Sequence, residues 1–130
     1  MFVCAVAGFY DRKSREVIWA SAGFPPALVR DARGEVREVV AGGPPLGIVD
    51  DATWQDERVD LSQGSLYFYS DGVTDVVQTS GERLGVAGVR TLVSGLAHLP
   101  PESRLRSMLG ILRRLKLSDD TTMLLIEGER

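Results

Sequence analysis

Hydrophobic and polar positions alternate at two different periods along this chain, a short one in the first half and a helical one in the second. Residues 3–10 and 16–21 are rich in β-branched and aromatic side chains and are separated by the polar stretch Asp11-Arg12-Lys13-Ser14-Arg15, which predicts a hairpin. Residues 27–30 and 35–40 flank Asp31-Ala32-Arg33-Gly34, whose Asp and Gly suit turn positions that need side-chain capping and positive φ, so a second hairpin follows. Gly42-Gly43-Pro44-Pro45-Leu46-Gly47 interrupts regular structure, because its prolines lack donors and its glycines permit unusual backbone angles. Residues 54–61 and 65–70 bracket Ser62-Gln63-Gly64 and continue the sheet, and Leu66-Tyr67-Phe68-Tyr69 is apolar enough for a central strand.

The pattern then changes. Val86, Val89, Leu92, Val93 and Leu96 recur at three- and four-residue spacing and line one face of a helix that ends near Pro100. Pro101 and Glu102 suit the first turn of a second helix, with a stripe of Leu105, Met108, Leu109, Leu112 and Leu115. Arg104, Arg106, Arg113 and Arg114 fall mostly off that stripe and read as a solvated basic face. Residues 121–127 close the chain as a strand around Met123-Leu124-Leu125-Ile126. Six or seven strands with two helices imply an α+β fold with mostly antiparallel sheet, since short-turn hairpins cannot make parallel pairs. Two helices suffice for one face of one sheet, whereas a two-sheet sandwich with outer helical layers needs more helix than these residues supply.

Composition narrows the class of function. With 130 residues the chain has the size of one domain, 1–130, and its 44% hydrophobic and 25% charged residues are globular values that exclude a disordered or fibrous protein. A formal charge of -3 with basic residues spread along the chain leaves no footprint for nucleic acid. No apolar run is long enough to span a bilayer, and the start lacks the basic and cleavage features of a secretory leader, so a cytoplasmic location is expected. The single cysteine, Cys4, sits between apolar residues and reads as a buried strand thiol in a reducing compartment.

Two acidic turns are the candidates for chemistry. Ser70-Asp71-Gly72-Val73-Thr74-Asp75 follows the most apolar strand, so Asp71 emerges at a strand terminus where rigid backbone could hold a ligand. Asp119-Asp120-Thr121-Thr122 precedes the last strand, and adjacent carboxylates repel unless hydrogen bonds, dipoles or a cation offset them. Each alone reads as a structural, solvated turn. Together, at adjacent strand ends, they would offer hard oxygen ligands of the kind that suit magnesium or manganese. His98, the one histidine, lies at a helix end, so a nucleophile and histidine pair or a His-rich zinc site has little material. Gly42, Gly43 and Gly47 lack the Gly-Lys-Ser/Thr and the following helix of a phosphate loop.

The ordered set of motifs resembles the SpoIIE/RsbU-like branch of the metal-dependent (PPM, type 2C) serine/threonine protein phosphatases, specifically its C-terminal portion. Met1-Phe2-Val3-Cys4 is similar to that family's Met-Phe-Val-Thr strand, Ala22-Gly23-Phe24-Pro25-Pro26 to its Ala-Gly-His-Pro-Pro turn, and Gly43-Pro44-Pro45-Leu46-Gly47 follows in order. Tyr69-Ser70-Asp71-Gly72-Val73-Thr74-Asp75 resembles Tyr-Thr-Asp-Gly-Val-Thr-Glu, and Asp119-Asp120-Thr121-Thr122 resembles Asp-Asp/Asn-x-Thr. The resemblance implies a partial PPM-type antiparallel β-sandwich with flanking helices, its N-terminal strands and helices absent, and a two-metal Mn2+ or Mg2+ site. Asp71 and Asp119 match metal ligands, with Gly72 and Asp120 in support and no catalytic residue beyond the ligands. It further implies hydrolysis of phosphoserine or phosphothreonine on a regulatory protein, such as an anti-anti-sigma factor, by a metal-activated water.

Departures from the family pattern qualify that expectation. Phe24 replaces a His, Ser21 an Asn, Cys4 a Thr and Asp75 a Glu. The family's Gly-Asp-Val/Ile-x-Gly segment, whose Asp bridges the metals, has no counterpart here. Two carboxylates rarely hold two metals, so this chain alone is expected to be a weak or inactive catalytic fragment. The alternative is a non-catalytic phosphatase-like binding module in signalling. Absent strands should leave an apolar edge or face uncovered, which favours self-association or a complementing chain.

Overall fold

The computed structural model describes residues 1–40, 42–117 and 119–128. Its seven strands are β1 (Ala5–Asp11), β2 (Glu16–Ala22), β3 (Ala27–Arg30), β4 (Val36–Val39), β5 (Glu57–Asp60), β6 (Ser65–Tyr69) and β7 (Met123–Glu127). Between β6 and β7 run three helices, α1 (Asp71–Thr74), α2 (Gly85–Gly95) and α3 (Pro101–Arg113). The strands form two antiparallel sheets, one in the order β1-β2-β5 and one in the order β4-β3-β6-β7. Both predicted hairpins form, and the α2 stripe covers a sheet as expected.

The chain changes sheets at Ser62-Gln63-Gly64. β5 pairs with β2 while β6 pairs with β3 and β7, so the two strands flanking that turn are not partners in one sheet. A turn alone does not dictate pairing when both strands can bury a face elsewhere. β6 shows why its sequence is apolar throughout: all five residues are buried, Leu66 and Phe68 between the sheets and Tyr67 and Tyr69 beneath the helices. Between the sheets, Trp19 of β2 meets Phe68 of β6 edge to face, with ring centroids 5.4 Å apart. Gly8 makes room for this, because a β-carbon there would stand 2.7 Å from the Trp19 β-carbon in the paired strand. Removing side chains of this size from water stabilises the sandwich by about 1.5–3 kcal/mol each.

The outer face of the four-stranded sheet is closed by helices, through Val89 and Val93 of α2 and Met108 and Leu112 of α3 packed on Leu28, Tyr67 and Tyr69. The three-stranded sheet has no such cover among the described residues, and Phe9 on β1 is 83% exposed. Two expectations are corrected here. Cys4 is exposed rather than buried, because it precedes β1 and joins no core cluster. Arg104 is buried rather than solvated: α3 is rotated so that its buried line runs Arg104, Met108, Leu112, while Leu105 and Leu109 are half-buried. Long cations enter a core only when paired, and Arg104 finds its partners on the sheet below.

Candidate functional site

The antiparallel ladder of β6 and β7 brings the two acidic turns to one end of the four-stranded sheet. Tyr69 is opposite Met123, and beyond it the Ser70 N–H donates to the Thr122 carbonyl at 3.0 Å while the Thr122 N–H donates to Ser70 Oγ at 3.1 Å. Asp71 follows immediately as the first residue of α1, a single turn that the sequence pattern did not predict because four residues are too few for a periodic stripe. Its carbonyl accepts from the Asp75 N–H at 2.9 Å and from Thr74 Oγ1 at 3.0 Å, so the turn is internally braced. On the facing loop the Asp120 N–H donates to Asp119 Oδ1 at 2.7 Å, which orients that carboxylate. Gly72 packs against the Asp120 main chain so closely that no side chain fits between them.

Asp71, Asp119 and Asp120 are exposed and Gly72 is buried, so carboxylates reach solvent from a rigid base. Asp75 does not join them, since its carboxylate pairs with Arg83 at 3.3 Å. Neither does His98, which is exposed in the turn after α2. The donors suit a hard divalent cation in kind but not in number: among the described residues no group of three or more His, Cys, Asp or Glu could hold a metal ion.

Tyr69 braces the same end from below. Its hydroxyl donates to the Pro26 carbonyl at 2.5 Å and ties the Phe24-Pro25-Pro26 turn to the strand that leads to Asp71. Burial first, and the Glu38 carboxylate second, push its pKa to about 12. Phe24, with Val6, Tyr10, Trp19, Phe68 and Ile126, lines an apolar cleft of about 410 Å3 that opens between β1 and β7, an edge strand of each sheet. The buried Tyr10 hydroxyl beside this cleft has no hydrogen-bond partner among the described residues.

Comparison with known proteins decides the lineage. The profile of the family described as Stage II sporulation protein E (SpoIIE) matches residues 1–129. The chain belongs to the SpoIIE family. Over 66 residues it is 33% identical to the phosphoserine phosphatase RsbP of Bacillus subtilis, a match covering 50% of this chain and 16% of RsbP. The SiaA-PP2C domain of Pseudomonas aeruginosa superposes with a TM-score of 0.82 at 20% identity, covering 97% of this chain and 52% of that one. The RsbU and RsbW domains of Rv1364c from Mycobacterium tuberculosis give 0.82 at 27% identity, with 97% and 36% covered. The SpoIIE-type chain thus spans about half or less of these relatives' lengths and has the α+β architecture of a PPM phosphatase domain over the part it covers.

Two features of this SpoIIE-type chain escaped sequence reasoning. Arg104 carried a signal only in retrospect, its place one turn before Met108 and two before Leu112 on the same helix line. The Tyr69 hydroxyl contact with Pro26 joins residues far apart in sequence, and no local pattern encodes it.

Proposed function

We propose that this chain carries the C-terminal part of one PPM-type catalytic domain that hydrolyses phosphoserine or phosphothreonine on a regulatory protein, with Mn2+ or Mg2+ held through Asp71 and Asp119. The observation that carries this reading is the meeting of the two acidic turns at one end of the β6 and β7 ladder. A bound divalent cation acidifies water and neutralises charge on phosphoryl oxygens. The chain's own residues position that chemistry. Asp71 and Asp119 offer hard oxygen donors, the Asp120 N–H aligns the Asp119 carboxylate, and Gly72 permits the close approach of the two turns. The resemblance to RsbP and to the RsbU domain supports a phosphorylated anti-anti-sigma factor as substrate, in a cytoplasmic partner-switching pathway. Among the described residues no helix is long and apolar enough to cross a membrane.

The remaining ligands would come from polypeptide beyond these residues. The open cleft, the outer edges of β1 and β7 beside it, each without a strand partner among the described residues, and the orphaned Tyr10 hydroxyl support further strands of the same domain as its occupant. The short ligand set also favours a second reading, a binding module that recognises a phosphoprotein without hydrolysing it. An upstream reading frame encoding a strand and Gly-Asp-Val/Ile-x-Gly supports the phosphatase, and its absence supports the module. The decisive assay measures manganese-dependent hydrolysis of an aryl phosphate by this chain and by a version extended upstream, each with Asp71→Ala and Asp119→Ala. Activity in the extended version, abolished by either substitution, is expected. Activity indifferent to both would defeat the assignment.

A further inference from the structure

Whatever fixes the register of β6 against β7 also fixes where the Asp119-Asp120 turn arrives beside Gly72. Among the described residues β7 is an edge strand, paired with β6 alone, and edge strands are the ones most prone to slip. A shift of two residues would keep its faces and its backbone bonds while carrying the Asp119 turn away from Gly72. Apolar side chains discriminate poorly against that shift, since Met123, Leu125 and Glu127 share one face and Leu124 and Ile126 the other. Something polar must supply the difference.

At the far end of the ladder, Ser65 is opposite Glu127, and the Ser65 hydroxyl donates to Glu127 Oε2. Arg104 reaches both from α3. It donates through Nη2 to Glu127 Oε1 at 2.9 Å, through Nη1 to Ser65 Oγ and to the Tyr67 hydroxyl, each at 2.9 Å, and through Nε to the Leu99 carbonyl at 2.9 Å. The Leu99 bond holds the guanidinium in place from the helix side, and Arg30 adds a bond from Nη2 to Ser65 Oγ at 2.8 Å. A guanidinium 2% exposed keeps its charge, and taking that charge out of water offsets much of what the pair contributes. Its use is therefore discrimination more than net stability. In the two-residue slip that brings Leu125 opposite Ser65, a buried cation would lose its carboxylate.

We infer that Arg104 is a positioning residue of the catalytic end: it pins the Ser65 and Glu127 pair, holds β7 in register and so sets Asp119 beside Asp71. This rests on the phosphatase reading for its catalytic meaning, while the clamp itself can be tested without turnover. The variant to make combines Arg104→Met with Glu127→Leu, which removes both charges of the buried pair at similar volume; Arg30, whose Nη2 lies 3.6 Å from Glu127 Oε1, keeps its bond to Ser65 Oγ. Amide hydrogen exchange by NMR on this chain then separates the possibilities. The Ser70 and Thr122 amides should exchange about tenfold faster or more while the β3 amides keep their rates, which is local loosening at the end remote from the substitutions. Unchanged exchange at Ser70 and Thr122, or equal acceleration throughout, would overturn the inference. If the double variant does not fold, Glu127→Gln alone, which keeps the shape and removes the charge, is read by the same criterion. Manganese broadening of the Asp71 and Asp119 resonances gives the catalytic arm. Broadening in the native chain that needs about tenfold more metal in the variant supports the positioning role, and a native chain showing none counts against the phosphatase reading while the exchange result still decides the clamp.

Discussion

Gly72 lies against Asp120 so closely that a β-carbon at position 72 would overlap the Asp120 carbonyl oxygen. The contact involves main chain on one side, so a side chain at 72 can be accommodated only by moving one acidic turn away from the other. Gly72→Ala should therefore destabilise the fold by about 1–3 kcal/mol, as overpacking does, and separate the two carboxylates. Urea unfolding gives the first quantity. Comparing manganese affinity in an upstream-extended Gly72→Ala protein with that of its parent gives the second, and unchanged affinity would mean that the turns need not touch to act.

Much of this arrangement was legible in the chain itself, and the exceptions share a cause. The hairpins, the buried central strand Leu66-Tyr67-Phe68-Tyr69 and the stripe of α2 follow from side-chain periodicity, which reports burial one element at a time. The two acidic turns were visible as candidates because each adjoins a strand whose ends are well marked. Partner choice was not visible. Which sheet β6 joins, which way α3 rolls and what Arg104 meets depend on contacts between elements far apart in sequence, and an arginine on a helix reads as solvated until a carboxylate partner is found for it.

The edge-to-face pair of Trp19 and Phe68 links the two sheets within their shared core. Phe68→Ala should cost about 3–5 kcal/mol, the range for truncating a buried aromatic. Chemical denaturation followed by Trp fluorescence would measure it, and a loss under about 1 kcal/mol would show that the open cleft nearby lets the site collapse without a void.

Tyr69 makes stability depend on pH at the alkaline end. Its folded pKa is raised from 10.0 to about 12, so the folded chain holds the phenolic proton more tightly than the unfolded chain does. That contribution is fully present below pH 10 and is lost as pH rises through about 12. Thermal unfolding scans from pH 9 upward should show the melting temperature falling across this window, and Tyr69→Phe should flatten that part of the decline. An identical decline in the variant would assign it to other groups.

The cleft between β1 and β7 should govern how the isolated chain associates. Leu124 on β7 is 53% exposed at its rim and Phe9 on β1 is 83% exposed, and both lie on strands with an unpaired edge. Exposed apolar edges pair with whatever strand is offered, so the chain alone should sediment as oligomers that grow with concentration. Leu124→Lys places a charge where a docking strand would have to cover it and should shift the population to monomer by analytical ultracentrifugation. An upstream-extended chain should be monomeric at the cleft without that substitution, because its own strands would occupy the site. If the extended chain associates as strongly as the isolated one, and Leu124→Lys relieves both, the cleft is an interface between copies and the missing ligands must be sought from a second subunit.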